Sequence, residues 1–173
     1  MSFTFLLLPI VLGYFAGNIL DIFGVYNGVK GLQYYEEAHL SKWNSFIHTI
    51  GMPFVYYGIS LWFPALCQYD SENAFKIQTF FYLMYMTHYM CVDFWRGLLT
   101  AVIYSVPYYY AVVHYANSTS NLYMFGYGFM FSFLFLVFQE LGGHWVGGDI
   151  WSRWEAIPNA ILYAVFYSIY HII

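Results

Sequence analysis

The chain has 173 residues, 61% of them hydrophobic and only 8% charged, with a mean hydropathy of +0.56. Soluble domains carry roughly 25% charged residues, so the composition argues against a soluble domain and predicts an integral membrane protein. The net charge of −4 is small and scattered along the chain, which argues against nucleic acid as a partner and leaves the lipid bilayer as the expected environment.

Six apolar stretches follow one another. The first, Phe3–Phe23, begins without basic residues and reads as a first membrane helix rather than a cleaved signal peptide. After the polar stretch Tyr26–Ser45 come Phe46–Leu66, Phe75–Val92, Gly97–Tyr115, Leu122–Leu141 and Ile157–Ile173. The third and the last fall short of the ~20 residues that a full span needs, so they are expected to be tilted or half-embedded. No linker, repeat or low-complexity tract interrupts the series. The expectation is a single domain over residues 1–173 with an all-α fold, a polytopic transmembrane helical bundle of five to six segments. Twenty Tyr and 18 Phe suit interfacial belts and packed helix faces. Cys67 and Cys91 match neither a CxxC pair nor a disulfide framework and read as packing residues.

Lys30, Lys42, Arg96 and Arg153 fall in connections that alternate to one side, and Lys76 falls on the other. The excess of basic residues in cytoplasmic loops then predicts that the first, third and fifth connections face the cytosol. The sequon Asn117-Ser118-Thr119 lies in the fourth connection, on the opposite side.

The candidate chemistry lies in polar residues at the ends of these segments. One group is Tyr35, His39, Asn44, His48, Gly51 and Pro53, and the other is Gly143-His144 between Gly142 and Gly147-Gly148. Histidine near hydrocarbon is costly unless something binds it, and neutral imidazole suits iron, zinc or copper. His39 and His48 are nine residues apart, about half a turn out of phase on a straight helix. They share an ion only if the chain breaks between them, and Ser41 is a good N-cap for a helix starting at Lys42. Asn44 and His48, spaced i,i+4, share a helix face, so Asn44 is expected to orient His48. Gln139, Glu140, Asp149 and Glu155 are polar neighbours of His144. His88 and Asp93 are further candidates at the same end of the bundle. His114 is ~25 Å along its helix from Gly97, out of reach unless that segment is re-entrant. His171, near the end of the sequence, reads as interfacial.

Taken in order, these residues resemble the fungal, plant and bacterial family of membrane 2-hydroxy fatty acid dioxygenases. The likeness runs from about residue 32 to 167, after an additional N-terminal hydrophobic segment over residues 1–23. The family pattern of Tyr, His-x4-Asn-x3-His and a following Pro is met by Tyr35, His39, Asn44, His48 and Pro53. Its acidic residue and Gly are met by Asp93 and Gly97, and its later histidine by His114. Its aromatic-Gln-x2-Gly-His run is met by Phe138-Gln139-Glu140-Leu141-Gly142-Gly143-His144, with one residue inserted. The family usually has a Glu four residues after this His. Here Gly148 stands in that place with Asp149 next and Glu155 further on, so the acidic partner of His144 is left open.

The resemblance implies Fe(2+)-dependent α-oxidation. A long-chain 2-hydroxy fatty acid reacts with O2 and loses one carbon, as in phytosphingosine breakdown, in the endoplasmic reticulum membrane. His39, His48 and His144 are the expected iron ligands, with Asn44, His88, Asp93, His114 and Asp149 as additional ligands or supporting partners. The alternative is a non-enzymatic lipid-binding or scaffold protein with structural histidines. A histidine-iron hydroxylase or desaturase ranks last, because the six histidines form neither HxxxH nor HxxHH boxes.

Overall fold

A computed structural model describes residues 3–22, 33, 35–149 and 157–170. Lys30, Arg153, Glu155 and His171 lie outside these residues. All regular elements among the described residues are helical. They are α1 (Phe3–Ile22), α2 (Lys42–Leu66), α3 (Ser71–Val92), α4 (Phe94–Ala116), α5 (Asn121–Phe138) and α6 (Ile157–Tyr170). A π-helical segment, Gln139–Trp145, continues directly from α5. The order of elements is the order of the six predicted stretches.

Side-chain caps move the boundaries outward from the apolar runs. Ser41 accepts from the Trp43 amide and starts α2 at Lys42. Asp70 accepts from the Asn73 amide and starts α3 at Ser71. With 22 residues, α3 is ~33 Å long, longer than the apolar stretch Phe75–Val92 read from the sequence. Asp93 closes α3 and opens α4, accepting from the Arg96 amide and pairing with the Arg96 guanidinium at 2.8 Å. The Arg96 amide and guanidinium hold the Asp93 carboxyl below the usual carboxylate range.

Helix α2 is the hub. It packs against α5 above all, and also against α3, α4, α6 and the π segment. From α2 to α5, connections of a few residues make successive helices run in opposite directions. At one end, the Tyr115 hydroxyl donates to the Tyr69 carbonyl and ties the α2–α3 connection to the end of α4. At the other end, the Trp43 indole donates to the Gly142 carbonyl at 2.8 Å and ties the start of α2 to the π segment. Lys42 and Arg96 therefore lie at the second end and Lys76 towards the first. Helix α1 lies against α3, where Gly13 leaves room for the Met84 carbonyl.

The last helix departs from expectation. Residues 163–169 are all buried, with Tyr163 and Ser168 at 0% exposure and Phe166, Tyr167 and Ile169 at 1%. A helix buried all round belongs to a core. Tyr163, Phe166 and Tyr167 join Tyr35, Met52, Val55, Met86, Tyr89 and Tyr104 in the main apolar cluster. The short last segment, expected to be tilted or half-embedded, is a helix whose residues 163–169 are enclosed by their neighbours.

Among the described residues one helix, the continuous run Asn121–Trp145, is long and apolar enough by length and composition to cross a bilayer. Helices α2, α3 and α4 have 25, 22 and 23 residues, but they carry tyrosine, histidine and other polar residues that lower their apolarity.

Candidate metal centre

The helical turn over residues 35–38 ends just before His39, and the chain changes direction through Leu40 and Ser41 before α2 begins. This is the break that the nine-residue spacing requires. It turns His39 back towards His48, which sits in the second turn of α2. The π segment brings His144 in from the third side. One ring nitrogen from each of His39, His48 and His144 lies within 4.8 Å of the other two. The ring centroids are 4.4 Å apart for His39–His48, 4.9 Å for His39–His144 and 5.2 Å for His48–His144.

The site is enclosed. His144 is 0% and His48 8% exposed, and His39 is partly buried with its Nε2 shielded. His39 Nδ1 lies 2.7 Å from the Tyr35 carbonyl. A carbonyl only accepts, so Nδ1 carries the proton and Nε2 the lone pair. The Tyr35 ring also stacks on the His39 ring at 3.8 Å. Neither ring nitrogen of His48 has a hydrogen-bond partner among the described residues, nor does His144 Nε2.

Asn44 reaches across to the π segment. Its amide nitrogen is 3.2 Å from His144 Nδ1, 2.9 Å from Asp149 Oδ2 and 3.2 Å from the Ala38 carbonyl. The Ser41 amide donates to both oxygens of the same Asp149 carboxylate, at 3.2 and 3.0 Å. The expectation that Asn44 orients His48 is therefore corrected. The two share a face of α2, but the complementary nitrogen is offered by His144 on the neighbouring element. Asp149, rather than the residue four after His144, is the acidic neighbour, and it reaches that histidine through Asn44.

The other candidates are engaged elsewhere. His88 Nε2 is 2.8 Å from the Tyr163 hydroxyl. His114 Nδ1 is 2.6 Å from the Tyr57 hydroxyl, near the opposite end of the bundle. Asp93 is the helix cap already described. None of the three belongs to the converging group, and neither does Glu140, partly buried in the π segment. Gln139 is 1% exposed and donates to the Phe135 carbonyl. Its side chain occupies the space left by Gly51, where a Cβ would come 2.8 Å from Gln139 Cγ. Sequence reasoning missed two supports, the Trp43 indole on Gly142 and the Ser41 amide on Asp149. The only signal for the second was Ser41 as a cap.

Gly143 is where the π segment touches α2 most closely. A Cβ there would run into Asn44 Oδ1 and come 3.4 Å from His48 Cδ2. Asn44 could yield only by breaking its bonds to Asp149 and Ala38. Gly143→Ala is thus expected to weaken metal binding by about 10- to 100-fold, the usual penalty for disturbing a ligand's supporting partners. Gly142→Ala, whose Cβ would meet only ordinary contacts at 3.7–3.8 Å, should change it little. Competition with a chelator of known affinity measures both.

Comparison with family models, with curated proteins and with solved structures gives no match for this chain. The functional reading therefore stands on the geometry and on the sequence motifs.

Proposed function

We propose that this chain is an Fe(2+)-dependent membrane dioxygenase that shortens long-chain 2-hydroxy fatty acids by one carbon. In this reading the helices form a polytopic bundle in the endoplasmic reticulum membrane, with the site at its cytosolic side. One observation carries it. Three imidazoles converge, and buried nitrogens of His48 and His144 have no hydrogen-bond partner among the described residues. Buried polar groups are nearly always paired, and an unpaired set pointed at one spot is what a metal would satisfy. The donor set fits the family's iron, since neutral imidazole nitrogens suit iron as well as zinc and copper. Nitrogens bonded to one ion at ~2.1 Å stand at most ~4.2 Å apart, so rings spread over as much as 4.8 Å need draw in only slightly.

Iron bound here would supply electron transfer to O2 and a Lewis-acid contact for the hydroxy-carboxylate head. The residues of the chain do the rest. The Tyr35 carbonyl keeps the His39 lone pair on Nε2. Among the described residues the converging group is three imidazoles with no carboxylate, and a neutral ligand set of this kind favours an anionic headgroup. The outward face of α5 and the π segment bears exposed Phe129, Met130, Phe133, Leu134 and Leu141, a surface suited to lipid and to an acyl tail. Such burial is worth ~0.8 kcal/mol per CH2. In the net reaction the bond between the carboxyl carbon and the hydroxyl-bearing carbon breaks. The first leaves as CO2 and the second becomes the new carboxyl. O2 takes up all the electrons and one water forms, so no added reductant is needed.

The test is direct. Protein purified in detergent is expected to hold about one iron per chain, as one convergent imidazole set allows. Supplied with 2-hydroxyhexadecanoic acid and O2, it should release pentadecanoic acid and CO2. Iron without product would overturn the assigned reaction, and a chain with neither would overturn the whole reading.

A further inference from the structure

We propose that Asp149 and Asn44 act as one positioning unit for His144, with Asp149 acting only through Asn44. The proposal rests on reading the triad as a metal centre. An amide nitrogen has two hydrogens, and that of Asn44 has three atoms in hydrogen-bond range: Asp149 Oδ2, the Ala38 carbonyl and His144 Nδ1. The first two can only accept, so they fix which end of the amide faces them. Turning the amide over would set its oxygen against a carboxylate. Gly143, packed on Asn44 Oδ1, closes the remaining space. One hydrogen goes to Asp149 Oδ2 at 2.9 Å and the other is shared between the Ala38 carbonyl and His144 Nδ1, both at 3.2 Å, so the amide is held on three sides and presents a shared hydrogen to the imidazole.

The unit also has an anchor of its own. The Asp149 carboxylate takes the Ser41 amide with both oxygens, at the N-terminus of α2, where the helix dipole favours negative charge. It follows directly on the turn at Gly148, whose φ of +75° suits glycine. The Ser41 amide thereby fixes the carboxylate where the Asn44 amide can reach it. Asp149 is not a ligand in this arrangement. It keeps the amide in place, and the amide keeps the ring in place.

A double-mutant cycle read with cobalt separates this from a general structural role. Co(II) in the purified full-length protein reports affinity by titration and ligand geometry by its visible absorption. Asp149→Ala and Asn44→Ala are each expected to weaken Co(II) by about 10- to 100-fold and to shift the absorption bands. The double variant should be no weaker than Asn44→Ala alone, because one residue acts through the other. Ser41→Ala removes the hydroxyl cap on Trp43 without touching Asn44. It should lower the unfolding temperature and leave the Co(II) spectrum unchanged. Additive losses in the double variant, an unaltered spectrum in Asp149→Ala, or a spectrum shifted equally by Ser41→Ala would each overturn the proposal. Wild-type protein that takes up neither Co(II) nor iron would instead overturn the metal reading beneath it.

Discussion

His48→Leu is expected to abolish metal binding and yet leave the metal-free protein as stable as the wild type, or more so. Both ring nitrogens of His48 are buried without hydrogen-bond partners among the described residues. A buried unpaired polar group costs about 1–3 kcal/mol, so an apolar side chain of similar volume removes a penalty when no ion is present. A structural histidine behaves in the opposite way. His88 is paired with Tyr163 and His114 with Tyr57, and replacing either with leucine orphans a tyrosine hydroxyl. Iron content and thermal unfolding of the chelator-treated protein give the two readouts. A His48→Leu protein that keeps its metal, or whose metal-free form loses more than about 2 kcal/mol, would support the scaffold reading over the enzyme.

The second large effect is expected far from the triad. Where α2 crosses α5, a Cβ on Gly58 would come 2.7 Å from the Gly128 carbonyl and 2.7 Å from the Ser132 amide nitrogen. A Cβ on Gly128 would meet the Gly58 carbonyl at 2.7 Å and the Trp62 amide nitrogen at 2.8 Å. These obstacles are backbone and cannot rotate away, so the helices would have to separate along their length. Gly58→Val is expected to cost about 3 kcal/mol, the upper range for overpacking. In a bilayer, close packing of small residues is itself a main source of helix association. It should also weaken metal binding, since α2 carries His48 and α5 leads to His144. Gly126→Ala is the control. Nothing lies within 4 Å of its Cβ, and replacing a helical glycine should add up to ~1 kcal/mol. Denaturation in mixed micelles, followed by circular dichroism, compares the pair. Equal stability of Gly58→Val and wild type would show that the helices do not meet as described.

The parts of the site that were legible in the sequence depended on spacing along one chain. The half-turn mismatch between His39 and His48 required a break, and Ser41 is where the chain restarts as helix. The length of α4 put His114 out of reach. What was not legible depended on which element lies opposite. Periodicity places Asn44 and His48 on one face of α2, but it does not say that Asn44 faces the π segment. The same limit applies to α6. A helix apolar all round has one composition whether its neighbours are lipid or protein, so its place in the core had to come from packing. The membrane character divides in a similar way. Asn121–Trp145 is legible because its aromatic residues are mostly phenylalanine, whereas α4 relies on tyrosine and α3 divides its aromatics between tyrosine and phenylalanine, with tyrosine hydroxyls that bond within the bundle, as Tyr82 does to the Ala101 carbonyl.

The π segment has a consequence for how this stretch tolerates changes in length. An α-helix brings a side chain back to nearly the same face after four residues, whereas a π turn, bonded i to i+5, does so after five. Gln139 and His144 are five apart and lie within the π segment, so they share a face of it as residues four apart would on an ordinary helix. A chain with one residue fewer here would keep the glutamine and the histidine on that one face by an α turn. The four-residue spacing of the motif it resembles and the five-residue spacing of this chain are two local solutions to one arrangement. An added residue that would otherwise swing the histidine about 100° around the helix is absorbed within a single wider turn.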